Sequence, residues 1–122
     1  MINLTQHNTS KEQKQAGAVD LPAEDQVKLR ELLTFNSLPT RREIIIRATE
    51  IALLAKKHNI DDTAMIGGAP FLMSTLEKEL SHIGIESYYA FSKRVVEEQD
   101  GVKKSIFKHE GFVTASNFAA FE

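Results

Sequence analysis

The chain has 122 residues, 42% hydrophobic and 26% charged, as is typical of one soluble globular domain. Its formal charge of −2 argues against a broad basic surface for long nucleic acid, and the lack of cysteine excludes disulfides, a thiol nucleophile and Cys-ligated zinc. No signal segment opens it, and no apolar run approaches the ~20 residues of a membrane span. We therefore expect a cytoplasmic protein with residues 1–122 as a single domain.

The first third of the chain predicts a strand followed by two helices. Residues 2–5 are an apolar start that leads into the polar loop Gln6-His7-Asn8. Thr9-Ser10-Lys11-Glu12 then fits a Thr-x-x-Glu capping box, which predicts a short helix that Gly17 ends. Pro22 suits the first position of the second helix.

The third predicted helix has the clearest amphipathic pattern. Thr40 and Glu43 form a second Thr-x-x-Glu box at its start. The apolar side chains that follow recur at helical spacing and predict one buried stripe, made by residues 44, 45, 48, 51, 52 and 55.

A glycine turn lies at the centre of the chain. The apolar run 64–66 precedes Gly67 and Gly68, and Pro70 opens a segment with helical periodicity. This pattern predicts a strand, a tight turn and a helix. Such a turn lets backbone N–H groups approach an anion at a helix start, although α/β folds also use it for purely structural reasons.

The last third predicts a strand over 85–92 and then a β-hairpin over 93–99 and 102–108. Asp100-Gly101 is typical of a type I′ turn, and a two-residue loop there pairs residues whose numbers sum to 201. The expected partners are Glu98 with Lys103, Glu97 with Lys104 and Val95 with Ile106. Residues 114–122 form a tail of uncertain structure that carries Phe118 and Phe121.

The order of these elements predicts a small Rossmann-like three-layer α/β domain with a short, mainly parallel sheet and a C-terminal antiparallel β-hairpin. Ligands of such sheets collect at the carboxyl ends of the strands. Here those ends are expected to bring together a hydroxyl, an amide, an imidazole, a glycine turn and a cation. We therefore expect a phosphate- or nucleotide-type ligand, contacted by Thr5, Gln6, His7, Gly67, Gly68, Ser92 and Arg94.

Each of these residues also has a structural interpretation. Thr5 and Ser92 are of a type that caps local turns, and Arg94 would face solvent if it lay opposite Phe107 in the hairpin. Phe71 and Phe91 serve either as core residues or as platforms for a base. The four histidines show no metal-ligand spacing, so we expect no metal and no cofactor. No common catalytic constellation is evident.

Three segments resemble a known group of proteins. They are Ile-Asn-Leu-Thr-Gln-His-Asn-Thr-Ser-Lys-Glu-Gln, Ile-Gly-Gly-Ala-Pro-Phe-Leu-Met-Ser-Thr-Leu-Glu and Tyr-Ala-Phe-Ser-Lys-Arg. Over about residues 2–16 and 64–94 the chain resembles the CRISPR-associated Rossmann fold (CARF) domains and the allied small ring-nuclease-like proteins of bacteria and phages. The resemblance implies a dimer that holds a cyclic oligonucleotide messenger between two strand-end edges. Ala69, which follows the two glycines, is also among the expected ligand contacts.

We expect the protein to bind a cyclic nucleotide messenger of antiviral defence and to sequester it rather than cleave it. If it is an enzyme, His7 is the catalytic candidate and the activity is that of a ring nuclease acting on cyclic oligoadenylate. A second alternative is a protein-interaction module whose glycine turn is structural. The exposed sheet edge and apolar tail also predict a homo-oligomer.

Overall fold

A computed structural model describes residues 1–115. Phe118 and Phe121 lie outside these residues. None of the helices described in this range is long and apolar enough to cross a bilayer. In chain order the elements are β1 (Ile2–Leu4), α1 (Lys11–Gln15), β2 (Val19–Asp20), α2 (Ala23–Leu33), α3 (Arg41–Lys57), β3 (Thr63–Ile66), α4 (Pro70–His82), β4 (Glu86–Gln99) and β5 (Val102–Thr114).

The strands form one mixed sheet in the order β2-β1-β3-β4-β5. β1 pairs in parallel with both β2 and β3, β3 pairs in parallel with β4, and β5 is antiparallel to β4. The chain is therefore a mixed α/β protein whose parallel strands end at a common edge. We call the end of β1 and β3 the carboxyl edge.

The short helix α1 begins one residue later than the sequence predicts. Its N-cap is Ser10, whose side chain accepts from the Gln13 N–H while the Gln13 side chain accepts from the Ser10 N–H. The predicted Thr9 box is wrong because Thr9 is engaged elsewhere: its N–H and hydroxyl both donate to Asp20.

The core lies mainly between the sheet and helices α2, α3 and α4. Thr40 caps α3 as predicted by accepting from the Glu43 N–H, whereas the Glu43 carboxylate binds Arg47. Ile45 was expected in the buried stripe of α3 but is 42% exposed. The largest side chains that are fully buried are Leu4, Leu29, Ile51, Met65, Ile66, Leu72, Leu76 and Leu80.

β4 and β5 form a long ribbon that leaves the body of the sheet. The prediction that a strand ends at Ser92 is wrong, because β4 runs without a break from Glu86 to Gln99 and has only a bulge between Phe91 and Ser92. The ribbon has the register that the Asp100-Gly101 turn predicts, and both turn residues have positive φ, 52° and 77°.

The ribbon continues beyond the parallel part of the sheet. The parallel pairing of β3 with β4 extends to Tyr88, so the later residues of β4 pass beyond the end of β3. β5 also comes close to α1, which follows the carboxyl end of β1. The ribbon therefore curves back over the carboxyl edge.

Candidate functional site

Two of the predicted site residues meet at the carboxyl edge. Leu4 of β1 and Ile66 of β3 are partners in the parallel register, so the residues that follow them, Thr5 and Gly67, are neighbours. A Cβ placed on Gly67 would lie 3.4 Å from Cγ2 of Thr5, which is an ordinary contact. The loop after β1 and the glycine turn thus form one continuous surface.

A buried asparagine organises the loop after β1. Asn3 is 4% exposed, and its Oδ1 accepts from the Thr5 N–H at 2.9 Å and from the Thr5 hydroxyl at 2.7 Å. Its Nδ2 donates to the His7 carbonyl at 2.7 Å and to Asp20 Oδ1 at 2.8 Å. These bonds fold the loop back on β1 and leave the side chains of Gln6 and His7 in solvent.

Asp20 of β2 completes this network. Besides Asn3, it accepts from the Thr9 N–H at 3.0 Å and from the Thr9 hydroxyl at 3.2 Å. Burial by itself raises the pKa of Asp20, but the hydrogen bonds from Asn3 and Thr9 and the charge of Lys14 outweigh it, so the pKa lies below its usual value. The ionised form of Asp20 is therefore stabilised by its neighbours.

An open cleft lies between this loop and α2. It encloses only about 10 Å³, enough for one water-sized group. The exposed side chains at its rim are those of Gln6, His7, Asn8 and Arg30, and the other lining residues are Asn3, Thr5, Asp20, Leu21, Gln26 and Leu29. Thr5, Gln6 and His7 are thus brought together as the sequence predicts.

The second glycine of the turn has a structural role of its own. Gly68 has φ +155°, and a Cβ there would lie 3.3 Å from Cε of Met73. Ala69 is the N-cap of α4 and has no side-chain cap, although its carbonyl accepts from the N–H groups of Leu72 and Met73. The turn therefore packs against the core at Gly68 and borders the site at Gly67.

Phe71, at the start of α4, belongs to an aromatic cluster beside the turn. Its ring meets that of Phe35 edge to face, with centroids 5.0 Å apart, and the Arg47 guanidinium lies 4.2 Å from the Phe35 centroid. Phe71 remains 45% exposed.

The remaining predicted residues lie on the ribbon. Phe91 and Ser92 flank the bulge and are exposed. Arg94 faces Phe107 across the ribbon, and its Nε donates to Ser105 Oγ at 2.6 Å. None of these three residues is among those that line the cleft within residues 1–115.

The chemistry of the cleft is that of a binding surface with amide, imidazole and guanidinium groups. Within residues 1–115 the His7 side chain has no carboxylate partner to orient it, and no group of three His, Asp or Glu residues is placed to hold a metal. Sequence reasoning missed Asn3, Asp20 and Arg30. An asparagine inside an apolar strand was the one available signal, because such a side chain needs partners when buried.

The residues of the cleft and the glycine turn lie within a segment that matches a protein-family profile. The profile of the Uncharacterized protein MJ1673 family matches residues 1–113. The chain belongs to this family. The match covers the loop after β1, the glycine turn, α2 and nearly all of the ribbon. Searches of curated proteins and of solved structures found no match.

Proposed function

We propose that this member of the MJ1673 family binds a cyclic nucleotide or oligonucleotide messenger of prokaryotic antiviral defence at its carboxyl edge. The observation that carries the proposal is the adjacency of Thr5 and Gly67, which follow paired residues of β1 and β3 and place the loop after β1 beside a glycine turn at a helix start. Backbone N–H groups at such a turn favour the oxygens of a phosphate.

The proposal includes a distant relationship to the CARF domains and a Rossmann-like three-layer fold with the ribbon as a C-terminal hairpin. Parallel β1, β3 and β4 with helices between them support it. We also propose that the protein works in the cytoplasm and as a homo-oligomer. A cleft of about 10 Å³ is too small to enclose a cyclic oligonucleotide, so a second copy would supply the opposing edge.

We further propose that the ligand is sequestered rather than cleaved. Metal-free cleavage of a 3′–5′ linkage needs an aligned 2′-hydroxyl, a positioned acid or base and donors for the developing charge. His7 is the one titratable rim residue suited to this task, and in the described chain no carboxylate orients its ring. The alternative, a ring nuclease, requires His7 to act without such help.

A single experiment separates these two outcomes. The protein is loaded with cyclic tetra-adenylate, held for hours and denatured, and the released compound is identified by mass spectrometry. Recovery of the intact ring supports sequestration. Linear product in excess over protein, lost in His7→Ala while binding survives, would make the protein a ring nuclease and His7 catalytic.

A protein-interaction module is the second candidate function, and the ribbon favours it. Phe107 is 73% exposed and Val96 is 65% exposed, although both are large apolar side chains. Under this alternative Gly68 is glycine only because of its backbone angle and its contact with Met73. Binding of a partner would then depend on the ribbon and not on the carboxyl edge.

A further inference from the structure

We propose that Arg30 of α2 binds a phosphate group of the ligand in the cleft, with Gln6 and Asn8 as neutral donors beside it. The identity of the ligand rests on the proposed function, whereas the position of the anion rests on the cleft alone. Within residues 1–115, Arg30 is the one Lys or Arg that lines the cleft. The guanidinium presents planar N–H donors that match phosphate oxygens.

Three of the other four arginines are occupied by structural bonds, and the fourth, Arg42, does not line the cleft. Arg47 donates to the carbonyls of Leu32 and Glu31 near the end of α2 and to Glu43, and Arg41 donates to the buried Thr75 hydroxyl. Arg94, the cation expected from the sequence, donates to Ser105 on the ribbon. Within the described residues the Arg30 guanidinium has neither a hydrogen bond nor an ion pair, so its donors are available to a ligand.

A carboxylate in the same cleft is the main objection to an anion there. Asp20 lines the cleft, but Asn3 and Thr9 donate three hydrogen bonds to its two oxygens, and Lys14 lies near enough to lower its pKa. The carboxylate oxygens are thus engaged by donors of the loop, and Lys14 lies near the negative charge that they carry. Arg30 is the cation at the rim, and it has no ion pair within the described residues.

The size of the cleft sets how a ligand would lie in it. A volume of about 10 Å³ admits one phosphate oxygen in place of a water, and not a whole nucleotide. The rest of the ligand would then extend over the open edge towards Thr5, which lines the cleft, and its neighbour Gly67. Arg30 would hold this phosphate from the rim of the cleft.

The test uses inorganic pyrophosphate as the probe and amide NMR as the readout. Pyrophosphate is expected to shift the amides of Gln6 and Asn8 in the wild type and in Lys28→Gln. Lys28 is a matched control because it is an exposed cation on the same helix that does not line the cleft. In Arg30→Gln the dissociation constant is expected to rise about tenfold or more, with partial recovery in Arg30→Lys.

Equal shifts in Arg30→Gln and the wild type, or no shift of the cleft amides in the wild type, would overturn the proposal. Cyclic tetra-adenylate is titrated in parallel, so that failure of the Arg30 site can be distinguished from failure of the proposed function. If that ligand binds the wild type and Arg30→Gln equally, Arg30 is excluded and the function survives. If no cyclic nucleotide binds while pyrophosphate still requires Arg30, the anion site survives and the function fails.

Discussion

The side-chain amide of Asn3 on β1 donates a 2.8 Å hydrogen bond to Asp20 on β2, and the two residues are partners in the parallel register. This bond connects the loop at the carboxyl edge to the outermost strand of the sheet. Because β2 has only two residues, the pair supplies much of the order at this corner of the fold. The stability of the loop should therefore depend on both side chains.

Replacement of Asn3 by alanine should lower the free energy of unfolding by about 2–3 kcal/mol. The change removes four hydrogen bonds and leaves partners at Thr5, His7 and Asp20 partly buried without replacements. Urea denaturation measures the effect. Asn36→Ala, at an exposed position, is the control and should change the stability by less than about 0.5 kcal/mol. Equal effects of the two variants would contradict a special role for Asn3.

Asp20 should make the stability depend on acid pH. Its pKa is lower in the folded chain than in the unfolded one, so its contribution is complete above the unfolded value of about 4 and is lost as the pH falls through the folded value. Asp20→Asn should thus be less stable than the wild type at pH 7. The difference in free energy of unfolding between the two proteins should become smaller at pH 3 and below, which urea denaturation at each pH measures.

The exposed Glu31→Gln serves as the control for this pH series. The free energy of unfolding of this variant should follow that of the wild type over the whole pH range. A gap between Asp20→Asn and the wild type that stays constant from pH 7 to pH 2 would show that the charge of Asp20 is not what stabilises the loop.

The two glycines of the central turn should differ in their tolerance of a side chain. Gly68→Ala should cost about 1–2 kcal/mol, because φ is +155° and the new methyl would lie 3.3 Å from Met73 Cε. Gly67→Ala should cost much less, since its Cβ makes only an ordinary contact with Thr5. Thermal unfolding of both variants checks this order, and the reverse order would show that the turn has a different backbone conformation.

A change at the tip of the ribbon should destabilise the ribbon and not the rest of the sheet. Gly101 has φ +77° with nothing near its missing Cβ, so Gly101→Ala should strain the turn by about 1 kcal/mol without a clash. Hydrogen exchange should speed up for residues 95–106 while β1 and β3 stay protected. Faster exchange throughout the sheet would mean that the ribbon supports the core.

The sequence predicted best what is decided locally. The register of the ribbon follows from Asp100 and Gly101 because a two-residue turn with two positive φ values determines which residues face each other. The cap of α3 at Thr40 and the adjacency of Thr5 and the glycine turn were also predicted, since caps and strand ends have short-range signatures.

Features that depend on distant parts of the chain were not predictable. β2 consists of two residues and forms only because Val19 and Asp20 meet β1. The continuity of β4 through Ser92 depends on its pairing with β5, and the prediction of two separate strands failed for that reason. Arg30 reaches the cleft through the packing of α2, and no nearby motif marks it as a site residue.

Binding at the carboxyl edge is tested most directly by a charge placed beside Thr5. Gly67→Asp and its neutral isostere Gly67→Asn add side chains of the same shape at a position that accepts a Cβ. Each is titrated calorimetrically with cyclic di-, tri- and tetranucleotides and cyclic ADP-ribose isomers. A ligand at ~100 times its dissociation constant should stabilise the wild type by about 2.7 kcal/mol. Gly67→Asn should keep most of the affinity and Gly67→Asp should lose it. No binding to the wild type by any member, or equal binding to both variants, would contradict the proposed function.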